Sequence, residues 1–166
     1  PVYPKFRKRR GLVNMSNTLD TIIKYKKEQI AAKKKALPLE KVKRLATEQP
    51  SNRGFFEALE RNFLARIPGI IAECKKGSPS KGIIVPEYNP EEIAANYERS
   101  GATCLSVLTD TKFFHGANDD LVSVKEKCAL PILRKDFIVD SSLCVSNFFL
   151  YERSLAIIIP NITASP

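Results

Sequence analysis

The sequence predicts an α/β fold in which short parallel strands alternate with helices, behind an N-terminal helical segment. Three apolar runs suited to buried strands lie at Ile70–Cys74, Cys104–Leu108 and Pro131–Leu133. Helical patterns fill the intervals at Pro90–Arg99 and Asn118–Lys127. A repeat of roughly 30 residues is typical of successive βαβ units, whose strands run parallel.

The segment 17–66 is predicted to form helices. Apolar residues recur in it at helical spacing, and Pro38 can open a second helix at its first turn. The lysine runs at 33–35 and 41–44 are interpreted as solvated helix faces. The apolar positions of the three amphipathic stretches are Leu19, Ile22, Ile23 and Ile30, then Leu39, Val42 and Leu45, and finally Phe55, Phe56, Leu59 and Phe63.

The helix between the first two strands has clear start and stop signals. Asn89 is a suitable N-cap before Pro90, and acidic residues occupy the first turn. Gly101 lies just beyond the predicted end, where a left-handed residue often terminates a helix. This helix is therefore expected to begin and end as its sequence indicates.

Positive charge is concentrated in the N-terminal part of the chain. Residues 1–66 hold 17 Lys and Arg against 6 Asp and Glu. Residues 1–16 are interpreted as a basic leader outside the fold. A nucleic-acid-binding arm is an alternative, because clustered cations neutralise phosphates, but only Tyr3 and Phe6 could stack on bases there. No apolar run approaches the roughly 20 residues of a membrane span, so no membrane partner is expected.

The four cysteines do not suggest a metal site. Cys74, Cys104, Cys128 and Cys144 are widely spaced, and His115 is the single histidine. We therefore expect no zinc site. Reduced thiols in a cytoplasmic protein are the simpler interpretation.

Charged residues end the first and third predicted strands. Because side chains alternate along a strand, Glu73 and Lys75 share a face, and so do Leu133, Lys135 and Phe137. In a closed sheet that face is the barrel interior near its C-terminal rim, where barrel enzymes keep their catalytic groups. Spacing alone leaves a second interpretation open, in which the strands simply end and the charges point into water.

Two predicted loops carry candidate binding residues. The loop 77–82 holds hydroxyls, a lysine and two glycines, and it could bind an anion through backbone N–H groups. The segment 112–116 holds Phe113 and Phe114, which could form an aromatic wall. Core packing of at least one of these phenylalanines is the commoner arrangement.

Taken together, these segments resemble a known enzyme family. Three segments resemble, in order and spacing, the first three strand-plus-loop segments of the indole-3-glycerol phosphate synthases: IIAECKKGSPSKG, GATCLSVLTDTKFFHG and LPILRKDFIVD. That family's N-terminal helical extension is similar to LDTIIKYKKEQIAAKKKALPLEKVK. The resemblance covers about Asn17 to Asp140. It implies a (β/α)₈ TIM barrel, with residues 17–66 as the extension and 67–140 as the first βα units.

The resemblance also implies an activity without metal or cofactor. The family converts 1-(o-carboxyphenylamino)-1-deoxyribulose 5-phosphate, an anionic sugar phosphate, to indole-3-glycerol phosphate, CO₂ and water. By motif position, Lys135 matches the general acid, Lys75 a lysine that binds the substrate, and Glu73 the carboxylate that orients both. Ser78 matches a substrate-binding loop residue and Phe114 an apolar contact to the aromatic ring. Association with other enzymes of tryptophan biosynthesis is left open.

The segment 141–166 departs from the family pattern. It contains no glycine and only two charged residues, and later family elements that hold a base and the phosphate are absent. We expect the barrel to be truncated after three to four strands, Leu155–Ile159 being the possible fourth, and the chain to be inactive alone. The alternatives are a non-catalytic fragment, a basic nucleic-acid-binding protein, or another phosphate-binding barrel such as phosphoribosylanthranilate isomerase. The last fits less well, because it lacks the Glu73, Lys75 and Lys135 arrangement.

Overall fold

Three parallel strands form the sheet on which the rest of the chain is organised. A computed structural model describes residues 15–48 and 53–140. Its helices are α1 (Met15–Ala36), α2 (Leu39–Thr47), α3 (Phe55–Leu64), α4 (Pro90–Arg99), α5 (Thr111–Phe114) and α6 (Asn118–Lys127). Its strands are β1 (Ile71–Cys74), β2 (Gly77–Ser78), β3 (Gly82–Ile83), β4 (Cys104–Leu108) and β5 (Ile132–Lys135).

The sheet has the order β1-β4-β5, and both pairings are parallel. The prediction of an α/β fold with parallel strands is therefore confirmed. Among the described residues the sheet is open, with β1 and β5 at its edges and no closed barrel. A separate antiparallel hairpin of β2 and β3 follows β1. The basic leader 1–16 falls almost wholly outside the described residues, and the tail 141–166 entirely.

Each face of the sheet packs against different helices. On one face, Cys74, Leu105, Val107 and Ile132 form a buried core with residues of α4 and α6. On the other face, Cys104 and Leu133 pack against Phe55 and Ala58 of α3. Glu73 alternates with Cys74 along β1, so it points to the face that packs against α3. Helix α3 covers this face at the N-terminal ends of the strands. The charged residues lie on the same face at the C-terminal ends.

The capping signals of α4 are confirmed. The Asn89 side chain accepts a hydrogen bond from the Glu92 backbone N–H at 3.2 Å, and Pro90 occupies the first turn. Gly101 has a positive φ of 83° just after the helix, a conformation that glycine adopts without steric cost. The helix predicted at Asn118–Lys127 also has the same bounds as α6.

The inward face of the N-terminal helices is partly as predicted. Ile22, Ile30 and Val42 are buried, whereas Phe56 and Phe63 are exposed. The amphipathic turn predicted around Phe55, Phe56, Leu59 and Phe63 is present as α3, whose buried residues are Phe55 and Ala58. A helix turns 100° per residue, so Phe56 lies well away from the stripe formed by Phe55, Ala58 and Leu59.

The segment after β4 is helical at its start. We expected a rim loop at 112–116, but Thr111–Phe114 forms the short helix α5, because the Asp110 side chain accepts a hydrogen bond from the Phe113 backbone N–H at 2.7 Å. His115 ends it with a φ of 57°. Gly116 follows, packed so closely on the Leu108 carbonyl that a Cβ atom would overlap it.

None of the helices in the described ranges is both long enough and apolar enough to cross a membrane.

Candidate active site

Two lysines from different strands meet on one carboxylate at the C-terminal ends of the sheet. Lys75 Nζ donates to Glu73 Oε1 at 2.5 Å, and Lys135 Nζ donates to Glu73 Oε2. The three side chains are only partly exposed, at 27 % for Glu73, 34 % for Lys75 and 43 % for Lys135. The structure therefore brings together the three residues that the sequence analysis selected.

The strand register explains how this contact forms. Glu73 pairs with Ser106, and Ser106 pairs with Leu133, so the three residues lie in one row across the sheet. Lys135 lies two residues beyond Leu133 on the same face. Its side chain reaches across β4, over the small Ser106 side chain, to a carboxylate on the far strand.

The two lysines control the ionisation of Glu73. Burial alone would raise the pKa of this carboxyl group, but the hydrogen bonds from Lys135 and Lys75 and the charges of both outweigh burial. The pKa of Glu73 is therefore held below its ordinary value of 4.5. The carboxylate stays ionised at neutral pH and keeps both ammonium groups at the rim.

This arrangement predicts how stability depends on pH. A carboxyl group with a lowered pKa in the folded state stabilises the fold above its unfolded pKa, and this contribution is lost as the pH falls through the folded pKa. We expect the free energy of unfolding to fall less between about pH 7 and about pH 3.5 in Glu73→Gln than in the wild type. Urea unfolding at the two pH values measures the difference.

Asp120 provides a control of opposite sign. Burial raises the pKa of Asp120, against the opposing effect of a hydrogen bond from the Ala117 backbone. Asp120 therefore stabilises the fold increasingly as the pH falls. In Asp120→Asn this gain is absent, so the free energy of unfolding should fall more between the two pH values than in the wild type. An equal pH dependence in Glu73→Gln and the wild type would contradict the ion-pair geometry.

Ser78 lies in the hairpin next to this site. Its hydroxyl accepts a hydrogen bond from the Lys81 backbone N–H at 3.3 Å and lies 3.5 Å from the Ser80 hydroxyl. A Cβ atom at Gly77 would overlap both the Gly82 carbonyl and the His115 ring, so glycine is needed where the hairpin approaches α5. In the described part of the chain, Ser78 makes its hydrogen bonds within the hairpin and not with Glu73.

The two adjacent phenylalanines of α5 have different partners. Phe113 packs edge-to-face on Tyr25 of α1, with ring centroids 5.6 Å apart. Phe114 faces Phe137 at 6.0 Å. Since Phe137 lies two residues beyond Lys135, the pair Phe114 and Phe137 forms an apolar wall on the side of the sheet that carries the charged residues. One phenylalanine therefore packs against α1, and the other is the candidate substrate contact.

Sequence analysis missed a buried group of charges beside this site. Lys26 of α1 pairs with Asp110 at 2.8 Å and with Asp136 at 2.7 Å, and the sequence analysis made no prediction for this residue. Arg134 also pairs with Asp136, at 3.0 Å. The sequence does contain a signal for Lys26, because it lies four residues after Ile22 and four before Ile30, in the middle of the apolar stripe.

The thiols of Cys74, Cys104 and Cys128 are buried. Burial raises the pKa of Cys74 to about 12 and that of Cys104 to about 11, so both stay protonated at neutral pH. Among the described residues, the cysteines are free thiols, and no group of three or more histidine, cysteine or acidic side chains could hold a metal ion. Cys144 lies outside the described residues.

Comparison with known proteins identifies the family. Residues 19–150 match the family model of indole-3-glycerol phosphate synthase, so the match continues ten residues beyond Asp140. The chain is 49% identical to the indole-3-glycerol phosphate synthase of Dechloromonas aromatica over 127 residues, which are 76% of this chain and 48% of the relative. It is 45% identical to that of Acinetobacter baumannii over 149 residues, 89% of this chain and 54% of the relative. The chain thus spans about half the length of the curated relatives it matches, and it belongs to the indole-3-glycerol phosphate synthase family.

Proposed function

We propose that this chain supplies the lysine and glutamate part of the active site of an indole-3-glycerol phosphate synthase. The substrate would be 1-(o-carboxyphenylamino)-1-deoxyribulose 5-phosphate, and the products indole-3-glycerol phosphate, CO₂ and water. The observation that carries the proposal is the meeting of Lys75 and Lys135 on Glu73 at the C-terminal ends of parallel strands. In barrel enzymes these ends are the location of the catalytic groups.

The chemistry of the substrate agrees with this set of charges. Ring closure forms a bond between an aryl carbon and the ketone carbon, and the ketone oxygen must gain a proton as the bond forms. We assign that proton to Lys135 as general acid. Lys75 then neutralises part of the substrate's negative charge, and the Glu73 carboxylate orients both ammonium groups. Loss of CO₂ restores the aromatic ring, and loss of water completes the indole.

The neighbouring segments would position the two ends of the substrate. Phe114, backed by Phe137, offers an apolar face for the aromatic ring. Ser78, on a hairpin close to α5, offers a hydroxyl to the polar part of the substrate. We further propose that the three described strands continue into a (β/α)₈ barrel when the remaining half of the enzyme is present. The free thiols of the described residues fit a cytoplasmic location for this reaction.

A chimera tests the proposed function. Residues 1–140 would be continued by the C-terminal half of the Acinetobacter baumannii relative, and the fusion would be placed in a tryptophan auxotroph that lacks its own synthase. We expect growth without tryptophan, and fluorescence of indole-3-glycerol phosphate when the purified chimera receives the substrate. A folded chimera that binds the substrate but never forms the indole would overturn the assignment.

A further inference from the structure

Lys26 belongs to a buried group of four charges, which we call the Lys26 cluster: Lys26, Asp110, Arg134 and Asp136. Their side chains are between 2% and 6% exposed. Lys26 forms ion pairs with both carboxylates, and Arg134 forms an ion pair with Asp136 and donates a hydrogen bond to the Thr109 hydroxyl. Two cations therefore balance two anions. Since a charge buried without a partner is strongly destabilising, each member of the cluster depends on the others staying in place.

The cluster contains the first of three evenly spaced contacts between α1 and the segment that follows β5. Lys26 meets Asp136, Ile30 packs with Ile138, and Lys34 pairs with Asp140 at 2.8 Å. The contacts advance by four residues on the helix and by two on the segment 136–140. Four helical residues rise about 6 Å and two extended residues span about 6.6 Å, so the two periods match. The helix can therefore support this segment along its whole length.

Both acidic members of the cluster adjoin candidate site residues. Asp136 directly follows Lys135 in the chain. Asp110 caps α5, the helix that carries Phe114, through its other carboxylate oxygen. One ammonium group from α1 thus fixes the ends of both β4 and β5. Glu73 lies on β1 and Lys75 directly follows this strand, and the ion pairs of the cluster include neither residue.

We propose that Lys26 is a positioning residue: through Asp136 it holds the end of β5 so that the Lys135 ammonium group stays on Glu73. It touches no reacting atom, and it acts on the site through the backbone of residues 135 and 136. The proposal extends the proposed function, because it adds a residue from the N-terminal helix to the support of the candidate acid. This positioning role explains why a charged residue, Lys26, lies within the apolar stripe of α1.

Amine labelling of the 166-residue chain tests the proposal without any turnover. The protein would receive a small amount of acetic anhydride, and mass spectrometry would give the labelling rates of Lys135 and Lys75, each relative to its rate in urea-unfolded chain. In Lys26→Met we expect the Lys135 rate to rise by up to about fivefold, the order expected when one ion pair is lost. The Lys75 rate should change less than about twofold, because that lysine pairs with Glu73, two residues before it in the chain, and not with the cluster.

Three further variants make the result decisive. Lys26→Arg should restore the Lys135 rate, because it keeps the cation. Lys34→Met removes the exposed ion pair of the same helix and should leave both rates unchanged. Asp136→Asn removes the ion pair between Lys26 and Asp136 and leaves the ion pair between Lys26 and Asp110. It should raise the labelling rate of Lys135 and not that of Lys75, even if Lys26→Met fails to fold.

An equal rise at Lys75 and Lys135, in proportion to lost stability, would show that Lys26 only stabilises the fold. No change at Lys135 in a folded Lys26→Met or Asp136→Asn variant would also overturn the proposal. The labelling result does not depend on catalysis, so an inactive chimera would remove the proposed function and leave the positioning role standing.

Discussion

Replacing Lys135 with alanine in the chimera is expected to lower kcat by about 10²–10⁴-fold, the range found for loss of a general acid. The physical reason is that Lys135, held by its hydrogen bond to Glu73 at the C-terminal ends of the strands, is the proposed donor of the proton to the ketone oxygen. The proton moves mainly in the transition state, so kcat should fall far more than KM rises. Steady-state fluorescence kinetics of the two purified proteins measure both constants.

Two companion variants separate proton donation from charge. Lys135→Arg keeps a cation that does not give up its proton, so it should bind substrate and still turn over slowly. Lys127→Ala removes an exposed lysine from the last turn of α6 and should leave both constants unchanged. Near-normal kcat in Lys135→Ala would show that another group is the acid.

Residues 1–166 alone are expected to form no detectable indole-3-glycerol phosphate. Within the described ranges, the sheet ends at β1 on one side and β5 on the other, so the charged face is open to water. Ile71, which shares the face of Glu73, is 47% exposed. The substrate would meet the two lysines without walls that exclude water or align its two ends, and alignment supplies a large part of the rate of such reactions.

The comparison requires the same assay for the 166-residue chain and for the chimera, at matched protein concentration. Circular dichroism of both proteins serves as the folding control. Growth of the auxotroph on the 166-residue chain, or turnover that Lys135→Ala removes, would show that this half of the enzyme suffices.

The sequence by itself determined the helices α4 and α6, the parallel strands and the faces of these strands. Alternation placed Glu73 with Lys75, and Lys135 with Phe137, because neighbouring side chains of a strand point in opposite directions. Asn89, Pro90 and Gly101 fixed the limits of α4, since capping depends on residues next to each other in the chain. Spacing alone left open whether Glu73, Lys75 and Lys135 point into water, and the resemblance to the family selected them as candidates.

Only the tertiary structure decided which side chains meet. The order β1-β4-β5 puts both lysines on one carboxylate, and no local pattern specifies strand order. The packing of α1 decided that Lys26 is buried and that Phe113, rather than Phe114, packs on Tyr25. Periodicity reports the face on which a residue lies, whereas its burial and partners depend on the element that covers this face, which is distant in sequence.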